Sequence, residues 1–251
     1  MLSMSKTLVS ILLLACALSG MCGCGVRSHT PPEEPALIPF GGESSEIALL
    51  TWNECVFSVA SRPDGGPLWE LDLFLIHEVV SPSSSQYRSK IPLWRYHRRF
   101  ANDKRGHQFR YIFFSEPEVR NELEESVARN ERLQSLVAAG FLRSFECLQL
   151  RGARASTVEG ASDPSWHPAV QEAWPVYAMG VSLFLESLVH FYFDQELYST
   201  LSSVQEQVRH FRAIRFAIRD LVKRDGQHAL LHHLSALLGY DPIHLEKDIV
   251  F

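Results

Sequence analysis

The sequence predicts an α+β protein: a mainly antiparallel sheet with one packed helix, followed by a small C-terminal helical bundle. Two patterns predict it. Between Ile47 and Leu150, short runs of alternating apolar and polar residues are separated by turn chemistry, with one stripe of helical period among them. From His167 onward the period is helical throughout. The composition agrees, because 46% apolar and 21% charged residues in a chain of 251 are enough to bury a core in one large or two modest domains.

The strands begin at Ile47. Cys55, Phe57 and Val59 alternate with Glu54, Val56 and Ser58, and "RPDGGP" (62–67) is a turn. Trp69, Leu71, Leu73 and Leu75 alternate with Glu70, Asp72 and Phe74, which predicts the second strand of a hairpin with one buried face. "SPSSS" (81–85) reads as a loop. A second hairpin runs from Leu93 to Phe100, turns at "NDKRG", and returns from Gln108 to Phe114. Ser115, Glu116, Pro117 and Glu118 have the order of a helix start, with Ser115 as N-cap and Pro117 in the first turn. Val119, Leu123, Val127, Leu133 and Leu136 continue the stripe, Gly140 suits the stop, and Phe141 to Leu150 closes the sheet. The predicted order over 46–150 is β-β-β-β-α-β.

The second hairpin is the most basic stretch. Arg95, Arg98, Arg99, Lys104, Arg105 and Arg110 face one acid, Asp103, with His97 and His107 as further donors and aromatic residues between them. Guanidinium forks match phosphate and carboxylate oxygens, so these six cations are candidates for anionic lipid head groups or an acidic partner. The alternative is a solvated edge hairpin whose charges prevent sheet-to-sheet aggregation. A net charge of −5 argues against nucleic acid as the partner of the whole molecule. Cys55 and Cys147 both fall on predicted strands, and are candidates for a disulfide or for two buried thiols.

Residues 151–165 are small and polar and read as a linker to a helical domain over 166–251. The run from Pro168 to Phe193 is apolar nearly all round, which predicts a central helix with a kink or start near Pro175; Glu186 and His190 within it weigh against a membrane span. Glu196 to Arg224 is the next helix, with Phe211, Ile214 and Ile218 on one face and Arg209, Arg212, Arg215 and Arg219 on a face expected to be solvated. Gly226 breaks it, and 227–238 is a short third helix.

No phosphate-binding loop, dinucleotide fingerprint, H-E-x-x-H, G-x-S-x-G or C-x-x-C is present. One constellation has metal-ligand spacing. Glu186, His190 and Asp194 lie at i, i+4 and i+8, and His228 and His232 at i and i+4, so two facing helices would offer a divalent cation several ligands. The alternative is a Glu–His pair in the core with surface histidines.

The N-terminus carries an address. Met1 to Lys6 carries one positive charge and no acid, Thr7 to Leu18 is almost wholly apolar, and small residues follow. That run is roughly 12 residues, where a bilayer span needs about 20. Cys16, Cys22 and Cys24 crowd its end. A cysteine after small residues at this point resembles the lipobox of bacterial lipoproteins, over about the first 25 residues only. The resemblance implies diacylation of the cysteine, cleavage before it and acylation of the new amino terminus. Cys24, after Gly23 and before Gly25, fits best. Cys16, after Leu13, Leu14 and Ala15, is the alternative. Residues 1–23 are then a signal peptide. Residues 24–45, rich in Pro, Gly, Ser and Glu, are a flexible lipid-anchored tether. Gly25 lacks the acid that retains such proteins at the inner membrane, so the resemblance implies an outer-membrane anchor facing the periplasm.

The sequence therefore reads as a non-enzymatic binding or scaffolding lipoprotein of the cell envelope. Its partners would be the membrane through the anchor, and an envelope protein complex or anionic head groups; its only prosthetic group would be covalent lipid. The alternative is a metal-binding or hydrolytic enzyme with its site on the C-terminal helices.

Overall fold

In the computed structural model, which describes residues 50–62, 66–99, 105–152 and 154–237, four antiparallel strands lie in the order β2-β3-β1-β4. They are β1 (Thr51–Val59), β2 (Leu93–Arg99), β3 (Gln108–Ser115) and β4 (Leu142–Gln149). The α+β class is as expected, with more helices on the sheet than the one foreseen. β1 pairs with β3 and β4 on its two edges and has a core cluster on each sheet face, so it is buried on both faces instead of alternating. All described residues belong to one unit, Pro35–Phe251.

The largest departure from expectation follows β1. The stretch taken for a strand is helix: α1 (Trp69–Phe74) runs into a widened π turn (Leu75–Val80) and then α2 (Ser81–Ser85), so "SPSSS" is not a loop either. The alternation misleads because this helix is buried all round. Glu70 and Asp72 occupy the "polar" positions yet are 2% and 0% exposed. Buried carboxylates need partners. Arg62 donates to Glu70 at 2.7 Å, Arg212 lies 3.2 Å from it, and Asp72 sits between Arg98 (2.8 Å) and His107 (2.9 Å).

The stripe after β3 is two helices, α3 (Pro117–Ala128) and α4 (Glu131–Ala138). Glu116, not Ser115, is the N-cap of α3, because Ser115 still belongs to β3. Asn130 starts α4 by accepting from the amides of Arg132 and Leu133. Gly140 adopts φ +74°, which ends α4 and releases the chain into β4.

The linker ends in α5 (Pro168–Tyr192), followed by α6 (Gln195–Ser199), α7 (Val204–Gly226), a π segment (Gln227–His232) and α8 (His233–Leu237). Gly226 does not break the helix, since helical residues continue through it. One core cluster joins Phe57, Phe109 and Phe113 of the sheet to Leu71, Phe74, Leu123 and Leu136, and to Val189 of α5 and Phe211 of α7. A smaller cluster of Trp52, Leu93, Ile112 and Phe114 lies on the opposite sheet face. The linker crosses that face: Trp52 N–H donates to Ala155 O, and its indole N–H to Thr157 O at 2.8 Å. Gly160 is required there, because a Cβ would collide with the carbonyl of Arg154.

Candidate functional site: the outer face of α5

Edge strand β2 is covered by α5. The amide of Tyr96 donates to Ser182 Oγ at 2.9 Å, so a helix side chain satisfies a strand-edge donor. Beneath that contact lies the densest polar network around α5. Glu186 is 8% exposed, and its carboxylate accepts from Ser81 at 2.5 Å, from Tyr96 at 3.1 Å, and from Arg88 at 3.2 Å on each oxygen. His190 is 3.9 Å away. Arg88 also stacks over Trp94, 4.0 Å from the ring centroid. Burial pulls the Glu186 carboxyl upward; His190, Arg88, Ser81 and Tyr96 outweigh it, holding it below the usual carboxylate range. Burial pushes the Tyr96 phenol well above its ordinary value, with Glu186 adding to the effect, so it stays a neutral donor.

The residues with metal-ligand spacing therefore have other employment. Glu186 and His190 come together, but the carboxylate is occupied by Ser81, Arg88 and Tyr96. Asp194 caps α6 by accepting from Leu197 N. His228 and His232 stack on each other with ring centroids 5.1 Å apart. Among the described residues, no three His, Cys, Asp or Glu side chains are grouped to hold a metal.

The basic hairpin is largely internal in its pairing. Arg98 meets buried Asp72, Arg110 donates to Glu54 at 2.9 Å, and Arg95 donates to Ala161 O at 3.2 Å. Arg99 and Arg105 also have partners. Lys104 lies outside the described residues, as do Cys16 and Cys24. His97 is a poor cation, since desolvation and the charges of Arg95, Arg110 and Arg99 lower its pKa to about 4. His107 is buried against Asp72. Arg212 and Arg215 of α7 do not face only solvent, because both approach Glu70. Cys55 and Cys147 stand directly opposite across β1 and β4 and form a disulfide.

What the sequence reasoning missed is the outside of α5. The expectation of a helix buried all round fails. Pro175, Ala178, Ser182, Glu186 and Val189 face the protein, while Val170 (50%), Tyr177 (52%), Val181 (49%), Phe184 (40%) and Phe191 (79%) are open. At its N-terminal end, Trp166, His167, Val170 and Trp174 line an apolar depression of ≈ 280 Å³. The signal was present in the alternating spacing of four and three along the exposed side. A soluble surface does not ordinarily carry so continuous an apolar strip. No helix among the described residues is long and apolar enough to cross a membrane. Comparison with protein-family models, curated proteins and solved structures finds no match for this chain.

Proposed function

We propose that the protein is a membrane-anchored envelope lipoprotein that acts as a non-enzymatic binding or scaffolding module, and that α5 is its docking element. The observation that carries the binding role is the open apolar strip from Val170 to Phe191, fixed to the sheet side by the Glu186 network beneath it. Binding surfaces gain from a stiff, preorganised element that presents aromatic groups. The lipid anchor rests on the N-terminal segment, with Cys24 as the acylated residue and 24–45 as the tether. The Cys55–Cys147 disulfide supports export, because such bonds persist in oxidising compartments. The Arg98 and Arg110 pairs turn much of the basic hairpin's charge inward, which leaves α5 the stronger candidate contact.

The test is metabolic labelling with a palmitate analogue in a bacterial host. Wild-type chain should take up label and fractionate with membranes, and globomycin should cause an unprocessed precursor to accumulate. Cys24→Ala should abolish the label. Labelling that survives Cys24→Ala but not Cys16→Ala would move the anchor, and no labelling in any form would refute it.

A further inference from the structure

The open face of α5 has a period of its own. Val170, Trp174, Tyr177, Val181, Phe184 and Phe191 follow steps of four, three, four, three and seven. That is a repeat of 3.5 residues, the seam of a helix that packs along another helix. Its length over these 22 residues is about 32 Å. The core-facing side of α5 is already filled by the sheet and α7; on the open side Trp174 packs its ring on Trp166 (4.9 Å) and Tyr177 (5.4 Å), and the seam residues stay open beyond them.

We infer that α5 docks antiparallel against α5 of a second copy, with Gly180 at the crossing point. This rests on the reading of α5 as a docking element and names its occupant. Four of the six seam positions map onto one another about the midpoint, and Trp174 and Val181 map onto the small residues beside it. Antiparallel pairing places Val170 against Phe191 of the second copy, Tyr177 against Phe184, Gly180 against Val181, and bulky Trp174 against small Ser187. Knob and hole also match. Phe191 is the most exposed large apolar side chain at one end of the helix, and the depression formed by Trp166, His167, Val170 and Trp174 lies at the other. Only an antiparallel partner brings these ends together, and a two-fold axis uses the pair twice.

Gly180 suits this arrangement. A glycine weakens a helix interior, and a Cβ added here would meet nothing within 4 Å. Ala173, Gly180 and Ser187 repeat every seven residues beside the seam and let two backbones come close. Apart from Glu172, beyond the first turn, α5 exposes no Asp, Glu, Lys or Arg. Two copies therefore meet without like-charge repulsion, and a charged partner finds no complement. An open aromatic side chain presents on the order of 200 Å², so the exposed fractions of Val170, Tyr177, Val181, Phe184 and Phe191 leave roughly 500 Å² per copy, short of the about 800 Å² a side of a standard interface and in the range of a weaker contact.

The test uses the full chain in detergent, with Tyr177 replaced by the photo-reactive residue p-benzoylphenylalanine. Irradiation should give a species of twice the chain mass, joining two peptides that both derive from 168–192. Overlapping sequences can be linked only between copies. In parallel, wild-type protein should sediment as a dimer and Val181→Asp as a monomer at least tenfold above the wild-type dissociation constant, with an unchanged circular dichroism spectrum. Crosslinks to lipid, to residues 1–49 or 238–251, or to a different protein would overturn the inference, as would no crosslink or a monomeric wild type. An acylated protein that crosslinks to another polypeptide would overturn self-association while leaving the binding role standing. An unacylated one that still crosslinks to itself would do the reverse for the anchor.

Discussion

At the scale of single residues, Glu186 is the most consequential side chain of α5. Its i, i+4 relation to His190 is plain in the sequence. The groups that occupy it, Ser81 and Tyr96, are 105 and 90 residues away and reach it only through the fold. Spacing rules see one helix face at a time, so they show the Glu186–His190 pair but not the hydroxyls and guanidinium that the topology brings to it. Glu186→Ala should cost about 1–3 kcal/mol, as expected when buried donors lose their acceptor, and should loosen α5 from β2. Urea unfolding with Glu186→Gln as the milder comparison checks this; equal stability of all three would contradict it. His97 makes a prediction about pH. Its folded pKa is near 4, against an ordinary 6.5. Between those values the unfolded chain takes up a proton that the folded one refuses, so this residue costs stability as pH falls from about 6.5 to 4. His97→Gln should flatten the decline in melting temperature over that window, and a parallel decline would count against the assignment.

At the scale of elements, β2, β3 and β4 were legible because each has turn chemistry on its flanks and a clear period. The helix over 69–85 was not. A helix buried on every side has no polar face to mark its period, and Glu70 and Asp72 imitated one until Arg62, Arg98, Arg212 and His107 were found around them. The same blindness hid the outer face of α5, where apolar residues serve the core on one side and remain open on the other. The disulfide is the staple of the sheet, tying central β1 to β4 across a separation of 92 residues. A loop of that size constrains the unfolded chain strongly, so its loss should cost about 2–5 kcal/mol. Thermal unfolding with and without reductant, repeated on the Cys55→Ala/Cys147→Ala double variant, checks this. An unchanged midpoint in both would show that the pair contributes nothing.

At the scale of the whole molecule, the proposed N-terminal anchor and tether, joined to a folded unit with an open apolar helix face, would make a module held near a membrane to engage other protein. The α+β class was readable from composition and period. The open face of α5 was not, because whether an apolar helix is buried depends on what the rest of the chain leaves uncovered. The claim that organises the account is that the N-terminal segment is removed and replaced by lipid. The intact mass of the mature protein extracted from bacterial membranes tests it most directly. The account predicts a chain that begins at Cys24, lacks residues 1–23 and carries the mass of a diacylglyceryl group with an amide-linked acyl chain. A mass corresponding to the full 251 residues, or to a cleaved chain without lipid, would contradict it.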